Sequence, residues 1–127
     1  MRKNISYGRQ LESEIGFSRG CRVGNIIAVS GTAPIAEDGS VHAPGDVYAQ
    51  TQRCLEIVRD VLEQAGAKME QVIRTRVMVT DMARWQEAAR AHGEFFGRIR
   101  PAATFVQVSR FIHPDWLVEI EADAVLE

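Results

Sequence analysis

Cysteine is scarce in this chain, with two in 127 residues, Cys21 and Cys54. They stand far apart, belong to no C-x-x-C pair, and lie away from the histidines at any metal-ligand spacing. A disulfide framework and a cysteine-built metal site are thereby excluded. Neither thiol has a basic neighbour in sequence that would activate it as a nucleophile, so both read as reduced and inert. Long apolar runs are also missing. No stretch approaches the ~20 residues that span a bilayer. The opening MRKNISYGRQ is charged and is not followed by an apolar segment, so no signal peptide is expected and the cytoplasm is the expected location. A surplus of one charge is absent too. The net charge of -2 and pI near 5.9 provide no concentrated basic surface for nucleic acid. No aromatic-plus-basic stripe and no acid–base pair of histidines supports RNA processing. No motif asks for a metal or a cofactor.

What is present is an even distribution of apolar residues, 46% of the chain, among mixed charges. At this length the expectation is a single domain over 1–127 that buries a core without metals or cross-links. RGCRVGNIIAVSG contains two short apolar runs separated by Gly24 and Asn25, which suit a tight hairpin turn. The turn-rich TAPIAEDGSVHAPG reads as a loop with one strand extension. Asp46 is placed to cap a helix in which Thr51, Cys54, Leu55, Val58, Val61, Leu62 and Ala65 recur at helical spacing before Gly66. QVIRTRVMVT alternates, with Ile73, Thr75, Val77 and Val79 on one side and Arg74, Arg76 and Met78 on the other. A second helix is expected over about 82–96, with Trp85, Ala88, Ala89, His92, Phe95 and Phe96 on one stripe and Gly97 at its end. Two strands follow, one over about 104–108 and one in which Val118, Ile120, Ala122 and Ala124 alternate with Glu119, Glu121 and Asp123.

The sum is an α+β arrangement in which two helices cover one face of a sheet. The other face is expected to carry Arg74, Arg76, Glu119, Glu121, Phe105 and Gln107. That mixture is too charged for a core and too aromatic for a plain wet surface. Burial against further copies of the chain, with arginines paired to carboxylates between subunits, would account for it.

VGNIIAVSG, RTRVMVTDM, EFFG, RPAAT and VEIEADAV, in this order and spacing, resemble the RidA family, also called YjgF or L-PSP-like. The resemblance covers nearly the whole chain. It implies a chorismate-mutase-like fold assembled as a homotrimer, with the sheets lining a central β-barrel and a small-metabolite cleft at each subunit interface. It also implies hydrolysis of enamines and imines of 2-keto acids to the keto acid and ammonia, without a cofactor.

That reaction needs a donor for the substrate carboxylate and an acceptor that positions water at the C=N carbon. The resemblance assigns the acceptor to Glu119 and leaves Ser30 and Gly31 to face the ligand. The family's deaminases carry their carboxylate-binding arginine directly after a proline-alanine pair, where this chain has Ala103. The cysteine two residues on is Phe105, and the early tyrosine is Phe17. A glutamine is replaced by Thr32 and an asparagine by Ala89. Arg76 is a candidate to take over the anion, its alternative role being an ion pair between subunits with Glu119 or Glu121. Ion pairing is likewise the alternative for Glu119. His92 reads as a hydrogen-bonded residue of the core or cleft edge, and His42 and His113 as loop residues without partners. Three readings follow: an imine or enamine hydrolase of altered specificity that is not a standard 2-imino acid deaminase, a non-catalytic small-molecule binder, and, last, an L-PSP-type endoribonuclease.

Overall fold

The computed structural model describes residues 1–127. Nine elements follow one another: β1 (Arg2–Ile5), α1 (Gln10–Ile15), β2 (Gly20–Val23), β3 (Ile26–Thr32), α2 (Val47–Gln64), β4 (Val72–Val79), α3 (Trp85–Phe96), β5 (Ala102–Gln107) and β6 (Val118–Val125). The strands form one sheet in the order β1-β2-β3-β6-β4-β5. The α+β class with helices on one face is as the patterning implied. The last strand is a central one, antiparallel to both β3 and β4. Only β4 and β5 run parallel, and α3 makes the crossover that a parallel pair requires. No helix is long and apolar enough to cross a membrane.

Local chemistry accounts for the boundaries. Gly24 takes φ 60° in the two-residue turn between β2 and β3, leaving Val23 opposite Ile26. Asp46 accepts a hydrogen bond from the Ala49 N–H at 2.9 Å, capping α2. Gly66, at φ 89°, turns the chain away after it. The buried face of α2, which includes Cys54, Leu55, Val58, Val61 and Leu62, packs on Ile27 and Val29 of β3, Val77 and Val79 of β4, and the alternating Val118, Ile120, Ala122 and Ala124 of β6.

Several expectations are corrected. β1 and α1 carry no apolar pattern that would announce them, because β1 buries only Ile5 and takes its order from pairing with β2. A bulge between Val72 and Arg74 brings Val72 into the core and turns Ile73 outward, 54% exposed. On α3 the buried line runs through Ala88, Ala91 and Phe96, while Trp85 remains exposed. Gly97 keeps helical geometry at φ -56°. The chain turns instead at Arg100, φ 58°, immediately before Pro101. Phe105 and Gln107 are not on the open face. They register with Val77 and Val79, which places them on the helix side, and Thr104 instead shares the arginine face, where it accepts from Arg74 Nη2 at 3.2 Å.

Seating of α2 on the sheet depends on one residue without a side chain. A Cβ at Gly20 would lie 2.5 Å from Val61 Cγ1, whereas one at Gly93 in α3 would meet nothing within 4 Å. Gly20→Ala is therefore expected to cost about 1–3 kcal/mol by overpacking. Gly93→Ala is expected to gain up to about 1 kcal/mol from helix propensity. Chemical denaturation of both variants checks the pair, and a neutral Gly20→Ala would contradict this packing.

Candidate functional site

The site begins at an irregularity in β3. Pairing with β6 is regular up to Val29–Ala122 and resumes at Thr32–Ile120, so Ser30 and Gly31 bulge. The bulge is tied down locally. Ser30 Oγ donates to the Ser18 carbonyl at 2.5 Å and Thr32 Oγ1 donates to the Ser30 carbonyl at 2.7 Å. Glu119 approaches from β6. A Cβ on Gly31 would lie 2.9 Å from Glu119 Oε1, so the close approach of the carboxylate to the backbone requires glycine here.

Arg19, immediately before β2, closes the other side. Its Nη2 donates to the Gly31 carbonyl and to Thr32 Oγ1, both at 2.9 Å, with the Ser30 carbonyl at 3.4 Å. The guanidinium also lies 5.6 Å from the centre of the Phe17 ring. None of the ion pairs within 4.0 Å includes Arg19. Burial lowers its pKa, opposed by the charges of Glu12 and Glu119. Burial likewise pushes the Glu119 carboxyl above its ordinary value; Arg19 pulls it back and Glu121 adds to the rise.

These groups line a cavity of about 370 Å³. Phe17, Arg19, Gly31, Thr32 and Glu119 form its floor. Arg53 and Ile57 of α2 and Ile112 and Trp116 of the loop before β6 form its walls, and the segment around α1 closes a side through Tyr7 and Glu12. Glu12 is buried and holds that segment, accepting from Ser6 Oγ at 2.8 Å and from the Tyr7 N–H at 3.1 Å. The Tyr7 hydroxyl donates to Asp60 of α2. An apolar enclosure with a few convergent polar groups is the usual character of a small-molecule site.

Among the residues expected from sequence, Phe17, Gly31 and Glu119 meet in this cavity. Ser30 lies behind them, in the bulge. Ala103, Phe105 and Arg76 do not line it. Ala103 is exposed on the edge strand β5, opposite Thr75. Phe105 packs edge-on to His92 at 5.6 Å, and His92 Nε2 hydrogen-bonds Thr75 Oγ1 at 2.8 Å. Burial lowers the His92 pKa. Arg76 Nη1 lies 3.3 Å from both Glu121 Oε1 and Asp123 Oδ2, so these ion pairs form within the chain, where the sequence suggested pairing between copies of it, and Asp123 takes part where Glu119 was expected. Arg74 makes no ion pair, and its buried Nε has no partner. Cys54 is fully buried, which pushes its thiol well up. No group of three or more His, Cys, Asp or Glu side chains is placed to hold a metal ion. Sequence reasoning missed Arg19, Glu12 and Trp116. Arg19 precedes a strand and belongs to no periodic pattern, so only the position of the bulge reveals it.

The fold and this cavity define the class, and comparison with known proteins identifies it. The Endoribonuclease L-PSP family model matches residues 8–126, so the chain belongs to that family, also called RidA or YjgF. A RutC family protein of Pyrococcus abyssi is 34% identical over 128 residues, covering 100% of both chains. The crystal structure of a Mycobacterium tuberculosis member of the YjgF/YER057c/UK114 family is 40% identical with a TM-score of 0.90, covering 99% of this chain and 100% of that one. Escherichia coli TdcF with bound serine is 29% identical with a TM-score of 0.80, covering 87% of this chain and 88% of that one.

The raised pKa of Glu119 has a consequence for stability. As pH rises past the ordinary carboxyl range the unfolded chain loses this proton first, so the folded state loses stability until Glu119 itself ionises. Glu119→Gln removes that slope. The variant is expected to gain stability relative to wild type as pH rises past the ordinary carboxyl value of 4.5, with a constant difference below it. Thermal denaturation across pH tests this, and a difference independent of pH would show that Glu119 ionises normally.

Proposed function

We propose that this protein is a homotrimeric RidA-like protein that binds a small metabolite in clefts between subunits, and that Glu119 positions water for hydrolysis of a C=N bond in an enamine or imine. The observation that carries the reading is the half-buried Glu119 carboxylate beside Gly31 at the floor of an apolar cavity. In such a reaction the oxygen of water adds to the C=N carbon while Glu119 takes a proton. The nitrogen is protonated, the C–N bond breaks, and ammonia leaves a carbonyl product. A carboxyl whose pKa is raised is suited to taking and returning that proton. In the trimer, β5 of a neighbouring subunit would complete the cleft, bringing Ala103 and Phe105 to it. Arg76, held by Glu121 and Asp123, would then act from the sheet's open face.

Ala103 offers no guanidinium for a 2-imino acid. The loss of a charged hydrogen bond to a buried anion costs about 2–5 kcal/mol, which corresponds to roughly 30-fold to several thousandfold in affinity. This favours a substrate other than the standard small imino acids, or a binding role without catalysis. The endoribonuclease activity in the family's name fits least, because a net charge of -2 offers phosphates little attraction.

Ammonia release from freshly generated 2-aminoacrylate, measured beside a family deaminase that keeps the arginine, tests the reading. The expected rate is at least about 30-fold below the control. Ala103→Arg is expected to restore part of it, and Glu119→Gln to remove about 10²-fold of what remains. Activity indifferent to Glu119→Gln would remove the catalytic role, and a monomer by analytical ultracentrifugation would remove the shared cleft.

A further inference from the structure

Arg19 is held in an unusual way for a partly buried arginine. Its contacts with protein acceptors all come from Nη2, and they reach the Ser30 and Gly31 carbonyls and Thr32 Oγ1. Nε and Nη1 have no protein acceptor. Buried guanidinium groups normally face a carboxylate, yet no carboxylate oxygen lies within 4.0 Å of this one. The nearby acid Glu12 is already committed, its Oε1 to Ser6 and its Oε2 to the Tyr7 and Arg9 N–H groups. The side chain is therefore fixed by one nitrogen while the others remain open at a cavity wall. That is the pre-organised donor that anion recognition needs.

The surroundings restrict the anion. Glu12 and Glu119 line the same cavity, as do Arg9 and Arg53, but Arg53 is already held by the Ile35 carbonyl and Glu56. A single negative charge opposite Arg19 is therefore matched, while a second one near Glu119 would meet repulsion. Phe17, Ile57, Ile112 and Trp116 supply apolar surface that a ligand of two or three carbon atoms would leave uncovered. We infer that Arg19 is the anion-binding residue of this cavity and that its ligands are monocarboxylates with an apolar or aromatic body. The carboxylate accepts from Nη1, and the body lies against Ile57, Ile112 and Trp116. This inference rests on the reading of the cavity as the ligand site. It replaces the guanidinium absent at position 103 with one from the turn that leads into β2.

Three unreactive probes separate charge from shape: 3-phenylpropionate, its neutral amide 3-phenylpropionamide, and propionate. Titrations followed by tryptophan fluorescence and by calorimetry are expected to show the acid binding roughly tenfold or more tightly than the amide. Propionate is expected to bind more weakly than either. Arg19→Met is expected to bring the acid-to-amide ratio to about one while amide affinity is kept, and Arg19→Lys to restore part of the preference. A merely structural Arg19 would lower stability without moving that ratio. Because Arg19→Met also removes support from the bulge, the wild-type protein supplies a second readout. The NMR signal of the Arg19 Nε–H is expected to shift with 3-phenylpropionate and not with the amide.

Equal binding of acid and amide overturns the anchor and leaves the cavity as a ligand site. A preference removed by Arg76→Met but not by Arg19→Met overturns the assignment. Failure of all three probes to bind, with 2-aminoacrylate still hydrolysed, overturns the ligand class and leaves the hydrolase reading intact. Failure of both binding and hydrolysis overturns this inference together with the function on which it rests.

Discussion

The close approach of the Glu119 carboxylate to the backbone of Gly31 is the constraint around which the site is built. It requires a residue without a side chain at the bulge, and it requires β6 to lie directly beside β3. The bulge in turn directs the Ser30 and Gly31 carbonyls toward Arg19, which would otherwise have no reason to remain partly buried. A regular β3 would continue its ladder with β6 through these two residues and offer neither carbonyl to a side chain. One broken stretch of pairing thus positions an acid, a guanidinium and the floor of the cavity.

The open face of the sheet follows different rules. Arg76 is satisfied within the chain by Glu121 and Asp123, on the neighbouring strand β6. These groups are roughly two-fifths exposed, so the pairs contribute little to the stability of the single chain. Covering them would strengthen each attraction while adding a desolvation cost, which a well-packed interface must offset. Arg74 differs, since its buried Nε is left without an acceptor. The charge on this face is therefore only partly balanced inside one chain.

Much of the fold was legible in the sequence because alternation and helical spacing are properties of local geometry. Val118, Ile120, Ala122 and Ala124 face the core as their spacing demanded, and Asp46 caps α2 as its side chain allows. The same local reasoning placed Phe105 and Gln107 together on one face. It failed on which face, because the side is fixed by the parallel register of β5 against β4, which the α3 crossover sets. Ile73 was misplaced for a related reason: one bulged residue reverses the parity of everything before it.

The candidate site divides in the same way. Glu119, Gly31 and Phe17 could be named from residue type and motif order, and the structure brings these three to one cavity. Arg19 could not, because nothing in its immediate neighbours distinguishes it from the arginines that stay in water. Composition and periodicity determined the class of fold, the two long helices and the inward residues of the central strand, since each depends on contacts between near neighbours in the chain. Tertiary structure alone decided which charges meet. Strand order and one interruption in pairing bring Arg19 and Glu119, a hundred positions apart, to the same cavity, and no local pattern encodes a distance of that kind.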